Sequence, residues 1–417
     1  MNRTGLRVTL LVAGLAIASR LVLLVWLPME PLADIAEGGD GDTRYYVRLA
    51  QQLTSSREYV SGHLRAYTPP GFPLFLAGLS AFGADSRGLQ VAQNLMYLLA
   101  VLMLAALGAR SRGRLAGTFA ALLALASPLW LLLPQRALSE TLFAVLVAAG
   151  TLIALGRTTP PTIPLALLAG MVFGLAALVR ETGLLLGTVL GIVAGSWAWR
   201  SGGTIARGVL LAAIVVTGTI LAILPWTIRN YLVFHQIVPI ATNGPINFYL
   251  GNNPEATGVY SWRLPPEAQA AWNRPDESRS NELFASQLAG REAIAYIRAN
   301  PSDTLALVPT KLWALWGPPV ALRAGLGLGT VLRCGVAVFW TVCLGLAVYG
   351  LWRLRREPIA WFVFGSCLMI TGVHAATFGD PRFRAVCEYM LMLPAGLGAA
   401  DLWRSRRVDQ VENSRPL

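Results

Sequence analysis

Apolar stretches of about 20 residues, each long enough to cross roughly 30 Å of hydrocarbon as a helix, recur along most of the chain. Short polar segments separate them. This alternation predicts an all-α, polytopic membrane protein of about 10 to 11 transmembrane helices, folded as one domain over residues 1–417. The predicted spans are residues 6–28, 88–109, 115–134, 137–156, 163–179, 182–199, 207–226, 331–352, 358–378 and 385–403.

The arginines predict the orientation in the membrane. Arg3 and Arg7 precede the first span, and other arginines cluster in alternate connections between spans. Because cytoplasmic loops carry an excess of positive charge, these clusters are expected in the cytoplasm, and 404–417 forms a cytoplasmic tail. This orientation requires the proline-containing segment 304–322 to be interfacial or re-entrant instead of a full crossing. The first span lacks a small-residue cleavage site and is expected to be retained.

Two long loops, 29–87 and 227–303, then face away from the cytoplasm. In the first loop, apolar residues recur with helical spacing from Tyr46 to Leu53, which predicts an amphipathic helix on the membrane surface. A proline-rich turn then leads into a second predicted surface helix. The second loop contains a predicted helical stretch near 280–299. Such loops are natural places for chemistry, because a rigid scaffold positions them.

Composition narrows the class of function. Hydrophobic residues make up 55% of the chain and charged residues 13%, which is more apolar side chain than one soluble core can bury. The net charge of +12 does not indicate nucleic-acid binding, because the arginines lie in short clusters between the spans. The four cysteines and three histidines have no metal-ligand spacing, so we expect neither a disulfide framework nor a histidine-rich metal centre.

Acidic residues gather just after the first span, at Asp34, Glu37, Asp40 and Asp42. Neighbouring carboxylates repel one another, so such a cluster is suited to proton transfer or to binding a cation. The alternative is structural. Asp42 is well placed to cap a helix that starts at Thr43, and Asp40 belongs to a glycine turn.

Two further sites place charge at the outer membrane interface. Glu140 lies about one turn inside a predicted span, where ionisable groups are functional candidates. An ion pair with Arg136, one helical turn earlier, would explain Glu140 equally well. Arg180 and Glu181 stand between two spans with almost no loop, so both are expected at the same interface, and snorkelling is the structural alternative for Arg180.

More arginines lie at the outer ends of later spans. Arg229 follows Pro225-Trp226, and Arg382 and Arg384 occupy the short turn before the last span. A planar guanidinium donates two hydrogen bonds to a phosphate, so these groups suit a ligand phosphate at headgroup depth. Anchoring to lipid headgroups is the alternative for each one. The residues that are distant in sequence and share one predicted membrane face are Asp42, Glu140, Arg180, Arg229 and Arg382.

Short motifs occur in order along nearly the whole chain. They are Asp42-Thr-Arg-Tyr-Tyr46, Tyr67-Thr-Pro-Pro-Gly-Phe-Pro73, Leu138-Ser-Glu-Thr-Leu-Phe143, Gly174-Leu-Ala-Ala-Leu-Val-Arg-Glu181, Pro225-Trp-Thr-Ile-Arg-Asn-Tyr231, Gly251-Asn-Asn-Pro254 and Arg382-Phe-Arg384. In this order and spacing, the chain resembles the bacterial GT-C glycosyltransferases related to the protein O-mannosyltransferases and the aminoarabinose transferases of lipid A. One feature departs from that pattern. Gly41 separates Asp40 from Asp42, where the family often has adjacent acidic residues, so either aspartate can match the catalytic position.

The resemblance implies an inverting, mannosyltransferase-like glycosyltransferase of the bacterial inner membrane. Its donor would be a sugar on a polyprenyl phosphate, with the lipid tail between helices, and transfer would occur outside the cytoplasm. The catalytic residues would be Asp42 or Asp40, with Glu140. The residues expected to bind the donor phosphate are Arg180, Arg229, Arg382 and Arg384. Those expected to bind the sugar or acceptor are Tyr45, Tyr46, Tyr67 and Glu181.

Three alternatives stay open. A divalent cation, magnesium or manganese, would make Asp40 and Asp42 ligands instead of a base. A transporter or flippase of lipid-linked saccharides would also use interfacial arginines, but it should carry polar groups near the bilayer midplane, where the spans are apolar. A scaffold without chemistry would leave the acidic first loop unexplained. The pattern does not choose among protein, lipid A and cell-envelope glycan as the acceptor.

Overall fold

Helices dominate the fold. The computed structural model describes residues 14, 17–38, 41–274, 280–318 and 330–413, with side chains for all of these except 280, 330 and 406–413. Within these ranges no β-strand is present, and β geometry is confined to two isolated bridges, Ser61–Leu64 and Val259–Gly379. The all-α prediction is confirmed. Asp40, Arg3, Arg7 and the first part of the first predicted span, apart from residue 14, lie outside the described residues, which resume at residue 17.

The helices follow one another with short connections. Through the first loop and the first group of spans they are α1 (Ile17–Trp26), α2 (Leu32–Gly38), α3 (Gly41–Ser55), α4 (Gly71–Ala81), α5 (Ser86–Arg112), α6 (Arg114–Ala126), α7 (Pro128–Leu132), α8 (Glu140–Leu155), α9 (Ile163–Val179), α10 (Thr182–Arg200) and α11 (Ile205–Phe234). Beyond them come α12 (Asn243–Leu250), α13 (Pro266–Trp272), α14 (Ser280–Ala299), α15 (Pro301–Trp316), α16 (Thr330–Arg353), α17 (Pro358–Ala376) and α18 (Ala385–Asn413). Two 3-10 turns, Leu133–Gln135 and Pro381–Arg384, precede α8 and α18.

The chain is a multi-pass membrane protein. Among the described residues, six helical segments are long and apolar enough to cross a membrane: α5, α10, α11, α16, α17, and Pro381–Ser405. A seventh results if α6 and the helix after it, which meet at a bend of 61°, count as one span. Helices α8 and α9 are apolar but shorter, with 16 and 17 residues. The positions of these helices agree with the predicted spans, while the number of crossings stays a prediction.

The spans show the packing expected in lipid. Their outward faces carry exposed apolar side chains, such as Leu102 on α5 and Val338 on α16, which are 67% and 62% exposed. Their inward faces are built partly from small residues. A side chain on Gly170 of α9 would overlap the backbone carbonyl of Val215 on α11, so only glycine permits this close approach of the two helices.

One predicted boundary is wrong. The span expected to end at residue 226 continues as α11 to Phe234, with Pro225 inside the helix. Tertiary hydrogen bonds hold this extension against the returning chain. The Trp226 indole donates to the Ile240 carbonyl at 2.8 Å, and the Asn230 amide donates to the Val238 carbonyl at 3.0 Å. Arg229 is therefore part of a helix, and the second loop begins after it.

The two loops form a layer over one end of the bundle. The surface helices predicted near Tyr46 and after the proline-rich turn are confirmed as α3 and α4, and the stretch 280–299 is confirmed as α14. Glu282 of α14 joins the two loops. Its carboxylate, which is 1% exposed, accepts hydrogen bonds from the Arg65 and Ala66 amides and from the Thr242 hydroxyl. Burial raises the pKa of Glu282, and these hydrogen bonds oppose that shift.

The opposite end of the bundle carries arginines that were predicted to be cytoplasmic. Arg112 donates to the Arg353 carbonyl, Arg404 donates to the Arg112 carbonyl, and Arg353 pairs with Asp401 at 2.9 Å. Helix α18 and its preceding turn run from this end to Arg382, a distance of about 28 Å at 1.5 Å per residue. The arginine cluster and the loop layer therefore lie at opposite ends of the spans.

Candidate active site

A single arginine joins the first loop to the membrane spans. Arg382, in the 3-10 turn before α18, donates through Nη2 to Asp42 Oδ2 at 2.8 Å and through Nε to Glu140 Oε1. Asp42 lies in the first turn of α3, and Glu140 begins α8. Residues separated by 340 and 242 positions are thus brought into one ion-pair network. The predicted meeting of Asp42, Glu140 and Arg382 agrees with this geometry.

Glu140 is the buried carboxylate of this network. Its side chain is 3% exposed, and Oε1 also accepts a hydrogen bond from Arg180 Nη1 at 2.9 Å. Arg180 is the first residue of the break between α9 and α10, and the same nitrogen donates to Ser139 Oγ at 3.1 Å. The alternative pairing of Glu140 with Arg136 is wrong. Arg136 has an extended backbone and α8 begins at Glu140, so the two residues do not share a helix.

A small pocket opens beside this network. Its polar wall is formed by Glu140, Arg180 and Arg382, and its apolar wall includes Phe383 and His374. The His374 and Phe383 rings stack with centroids 4.5 Å apart. The second oxygen of Glu140, Oε2, is buried and has no hydrogen-bond partner. The pocket therefore combines two guanidinium groups with a free carboxylate oxygen, a lining suited to an anionic group that also carries hydroxyls.

Tyrosines of the first loop surround Asp42. The Tyr46 hydroxyl lies 3.5 Å from Ser139 Oγ, and its ring packs edge-on against Phe72. Burial raises the pKa of Tyr46, and the charge of Asp42 adds to the shift. The Tyr45 ring lies 5.5 Å from the Tyr67 ring. Tyr46 therefore packs beside Ser139 at the site, whereas Tyr45 and Tyr67 pack against a hydrophobic cluster of the second loop.

Glu181 adds a second buried carboxyl group near Asp42. Burial raises its pKa, whereas hydrogen bonds from its own backbone and from the Asn243 side chain, together with the charge of Arg180, lower it. Its Oε1 atom is buried and lacks a partner. Asn243 belongs to α12, so Glu181 links the break between α9 and α10 to the second loop.

Two predicted phosphate-binding arginines have their guanidinium groups elsewhere. Arg229 donates to the carbonyl oxygens of Arg65 and Tyr59, at 2.8 and 3.1 Å, and lies over the Trp226 ring. These contacts hold the first loop against α11. Neither Arg229 nor Arg384 lines the pocket.

Arg384 is buried within the spans. It donates to the Leu315 and Gly317 carbonyls, pairs with Glu388 at 3.4 Å and lies over the Trp340 ring at 4.1 Å. It therefore ties the end of α15 to α18.

Sequence reasoning missed several residues of the site. Ser139, Phe72, Phe383 and His374 contribute to it, and Ser139, Phe72 and Phe383 lie inside motifs used for the family resemblance. His374 is one of only three histidines and occurs in an otherwise apolar span. That rarity was the available signal. Asp42 was expected to cap a helix at Thr43, and this alternative is wrong because α3 already begins at Gly41.

A divalent cation held by Asp40 and Asp42 stays a prediction. Among the described residues, no three His, Cys, Asp or Glu side chains are grouped to hold a metal ion. The Asp42 carboxylate instead faces the Arg382 guanidinium, which already supplies the positive charge. Asp40, the other predicted ligand, lies outside the described residues.

Fold and site together define a polytopic α-helical membrane protein with a charged pocket at one end of its spans. The chain matches no protein-family model, and no curated protein matches it. Solved structures do share its fold. The oligosaccharyltransferase AglB from Archaeoglobus fulgidus, in complex with an inhibitory peptide and a dolichol-phosphate, has a TM-score of 0.59 and 13% identity, over 100% of this chain and 52% of that one.

Two further structures were compared. The Archaeoglobus fulgidus oligosaccharyltransferase in complex with Zn and sulfate has a TM-score of 0.55 and 14% identity, over 94% of this chain and 49% of that one. ArnT from Cupriavidus metallidurans, bound to undecaprenyl phosphate, has a TM-score of 0.40 and 16% identity, over 95% of this chain and 78% of that one. The chain spans about half the length of the oligosaccharyltransferase. The similarity to that protein is one of fold, and it agrees with the predicted polytopic, all-α architecture.

Proposed function

We propose that the protein is an inverting glycosyltransferase that moves a sugar from a polyprenyl-phosphate donor to an acceptor on the non-cytoplasmic side of a bacterial inner membrane. The observation that carries the proposal is the bridge from Arg382 to Asp42 and Glu140 beside the pocket. It puts two carboxylates and, with Arg180, two guanidinium groups where the spans meet the loop layer. The similar fold of AglB, a structure that holds a dolichol-phosphate, supports a lipid-linked donor.

Asp42 is the base of the proposed reaction. Its side chain is 40% exposed, so an acceptor can reach it. As the acceptor oxygen or nitrogen attacks the anomeric carbon, its proton passes to the Asp42 carboxylate. A bond forms from the nucleophile to that carbon, and the bond from the carbon to the phosphate oxygen breaks. Attack from the face opposite the phosphate inverts the configuration.

The leaving group needs positive charge more than a proton. A phosphate leaves as a stable anion that takes the bonding electron pair, and guanidinium groups aimed at its oxygens lower the barrier. Arg382 and Arg180 line the pocket and are the groups for this role. Glu140 contacts both through Oε1, so we assign it to orienting them.

The polar groups of the described residues favour an enzyme over a transporter or flippase. The charged network lies at one end of the spans, and the arginine cluster lies at the other. A substrate path across the membrane would need polar groups between them in both halves of the protein. Among the described residues, the charged groups that lie deeper, the Arg384–Glu388 pair and Arg20, are tied to backbone carbonyls within the protein.

Transfer of a radiolabelled sugar in proteoliposomes tests the function. The probe is a polyprenyl-phosphate mannose donor with an envelope extract as the source of acceptors. Asp42→Asn keeps the shape of the side chain but removes the base, so transfer should fall by about 100-fold or more. Asp303→Asn, an exposed change on α15, is the matched control. Unchanged transfer by Asp42→Asn would remove Asp42 from the mechanism, and movement of donor across the bilayer without a new glycosidic bond would favour the flippase.

A further inference from the structure

The second loop places an exposed extended segment, residues 259–263, beside the site. Val259 forms a parallel bridge with Gly379, and the Gly379 amide donates to the Gly258 carbonyl at 3.0 Å. Gly379 begins the chain that leads through Asp380 into the turn with Arg382. The segment is therefore held next to the element that carries the central guanidinium. Tyr260 and Trp262 stand two positions apart in this segment.

One row of aromatic rings leads from the pocket to this segment. Phe383 lines the pocket, and its ring lies 5.5 Å from the Phe378 ring. Phe378 lies 5.4 Å from Tyr260. Phe378 is buried, whereas Tyr260 is 50% exposed, so the row passes from the interior of the site to its surface.

A second row leads from α3 to the same segment. Tyr45 is three positions after Asp42, and its ring lies 5.5 Å from the Tyr67 ring. Tyr67 in turn lies 6.5 Å from Trp262, which is 37% exposed. Both rows therefore begin close to Asp42 or Arg382 inside the protein. They end at Tyr260 and Trp262, the two exposed rings of one segment.

The charge of Asp42 affects the pKa of two tyrosines in these rows. Burial raises the pKa of Tyr67 and of Tyr260, and the Asp42 carboxylate is the next largest cause in both. The exposed ring of Tyr260 thus shares the electrostatic surroundings of Asp42. Interfacial tyrosine and tryptophan that only anchor a protein in lipid have no need of such proximity to a reacting group.

We infer that Tyr260 and Trp262 form a platform that binds a sugar ring of the acceptor, so that the acceptor is a saccharide. The inference rests on the proposed function and names its acceptor class. One face of a pyranose carries several C–H bonds whose hydrogens are slightly positive, and an aromatic face is negative, so the two stack. The hydroxyl edges of the sugar then face the tyrosine hydroxyls and solvent. A peptide or a lipid tail offers no such flat face edged by hydroxyls.

Saturation-transfer NMR on the full chain in detergent tests the platform without any donor. The probes are cellohexaose, maltohexaose and mannohexaose. Saturation should reach the ring C–H protons of at least one probe, and Tyr260→Ala or Trp262→Ala should weaken its binding by about tenfold. Trp262→Phe keeps a ring and should retain most of the binding. Trp199→Ala, a 51% exposed tryptophan at the far end of α10, is the matched control and should change nothing.

Either of two results would overturn the platform. One is the absence of saturation transfer to all three probes. The other is binding that the Tyr260→Ala/Trp262→Ala double variant leaves intact while its thermal unfolding matches the wild type. A third measurement is the quenching of Trp262 fluorescence by brominated lipids in nanodiscs. If the bound probe gave no protection from this quenching, the two rings would lie in the bilayer, and the inference would be contradicted.

Transfer assays separate this inference from the proposed function. With a donor and a saccharide acceptor, Tyr260→Ala should raise KM for the acceptor about tenfold and leave kcat nearly unchanged, because the ring binds the acceptor away from the reacting atoms. A wild-type protein that binds the probes but never transfers a sugar contradicts the proposed function and leaves the platform standing. Transfer to a peptide or lipid that the platform variants do not slow contradicts the platform alone.

Discussion

The two arginines of the 3-10 turn Pro381–Arg384, Arg382 and Arg384, have different surroundings. Arg382 contacts carboxylates from α3 and α8 and lines the pocket. Arg384 is fully buried, and its acceptors are the Leu315 and Gly317 carbonyls at the end of α15 and the Glu388 carboxylate of α18. A serine accompanies each carboxylate. Ser139 contacts Arg180 next to Glu140, and Ser127 donates to Glu388 at 2.6 Å.

This comparison separates two uses of a buried ion pair. The cluster around Arg384 connects α15, α18 and the break after α6, and none of its charged groups lines the pocket. The cluster around Arg382 is open to the pocket and draws its members from three distant parts of the chain. We therefore expect changes at the first cluster to affect the free energy of unfolding, and changes at the second to affect kcat.

Replacing Arg382 should have the largest effect. Arg382→Met removes the cation that bridges Asp42 and Glu140, so kcat for sugar transfer should fall on the order of 1000-fold. Arg382→Lys keeps the charge without the planar fork and should recover part of that loss. Arg353→Met, at the opposite end of the spans, serves as the control. Transfer by Arg382→Met within about tenfold of the wild type would assign this arginine to structure instead.

Arg384→Met should act on stability. Removing one partner leaves Glu388 buried without its countercharge, which costs about 3–5 kcal/mol in the free energy of unfolding. The double variant Arg384→Met/Glu388→Leu removes both charges and should recover most of the loss. Thermal unfolding of the purified protein in detergent measures both. If the folded fraction of Arg384→Met lost transfer as completely as Arg382→Met does, the separation between the two clusters would not hold.

Glu140→Gln should have a smaller effect on kcat. The amide keeps the size of the side chain but no longer pairs with the two arginines, so both are misaligned and kcat should fall on the order of 100-fold. The matched variant Glu388→Gln should leave the kcat of the folded protein nearly unchanged. Both are measured by labelled-sugar transfer normalised to correctly folded protein. If the two variants lost kcat equally, Glu140 and Glu388 would not differ in their contribution to catalysis, which contradicts the prediction.

Treatment with a chelator should have the smallest effect. Arg382 already supplies the positive charge opposite Asp42, so removal of divalent cations should leave transfer by the wild-type protein unchanged. The measurement is the initial rate of transfer in proteoliposomes before and after EDTA. If activity disappeared in EDTA and returned with magnesium or manganese, Asp42 would be a metal ligand. The active form of the site would then hold a metal ion in place of the ion pair between Asp42 and Arg382.

Local patterns predicted most of the helices. Apolar stretches gave the positions of α5, α10, α16 and α17, and helical spacing from Tyr46 to Leu53 predicted α3. These features depend on periodicity and length, which the sequence displays directly. The end of α11 could not be predicted in this way. Pro225 and Arg229 indicate a boundary, but hydrogen bonds from Trp226 and Asn230 to the returning chain stabilise the extra turns.

The amino-acid sequence by itself determined that this is a helical membrane protein and that Asp42, Glu140 and Arg382 share one end of its spans, because hydropathy and charge act locally along the chain. Only the tertiary structure decided which arginine reaches the pocket. Arg382 and Arg384 belong to the same motif, but a 3-10 turn has about three residues per turn, so side chains two positions apart point about 120° away from each other. The neighbours that each then meets, carboxylates for one and helix carbonyls for the other, come from segments far away in sequence.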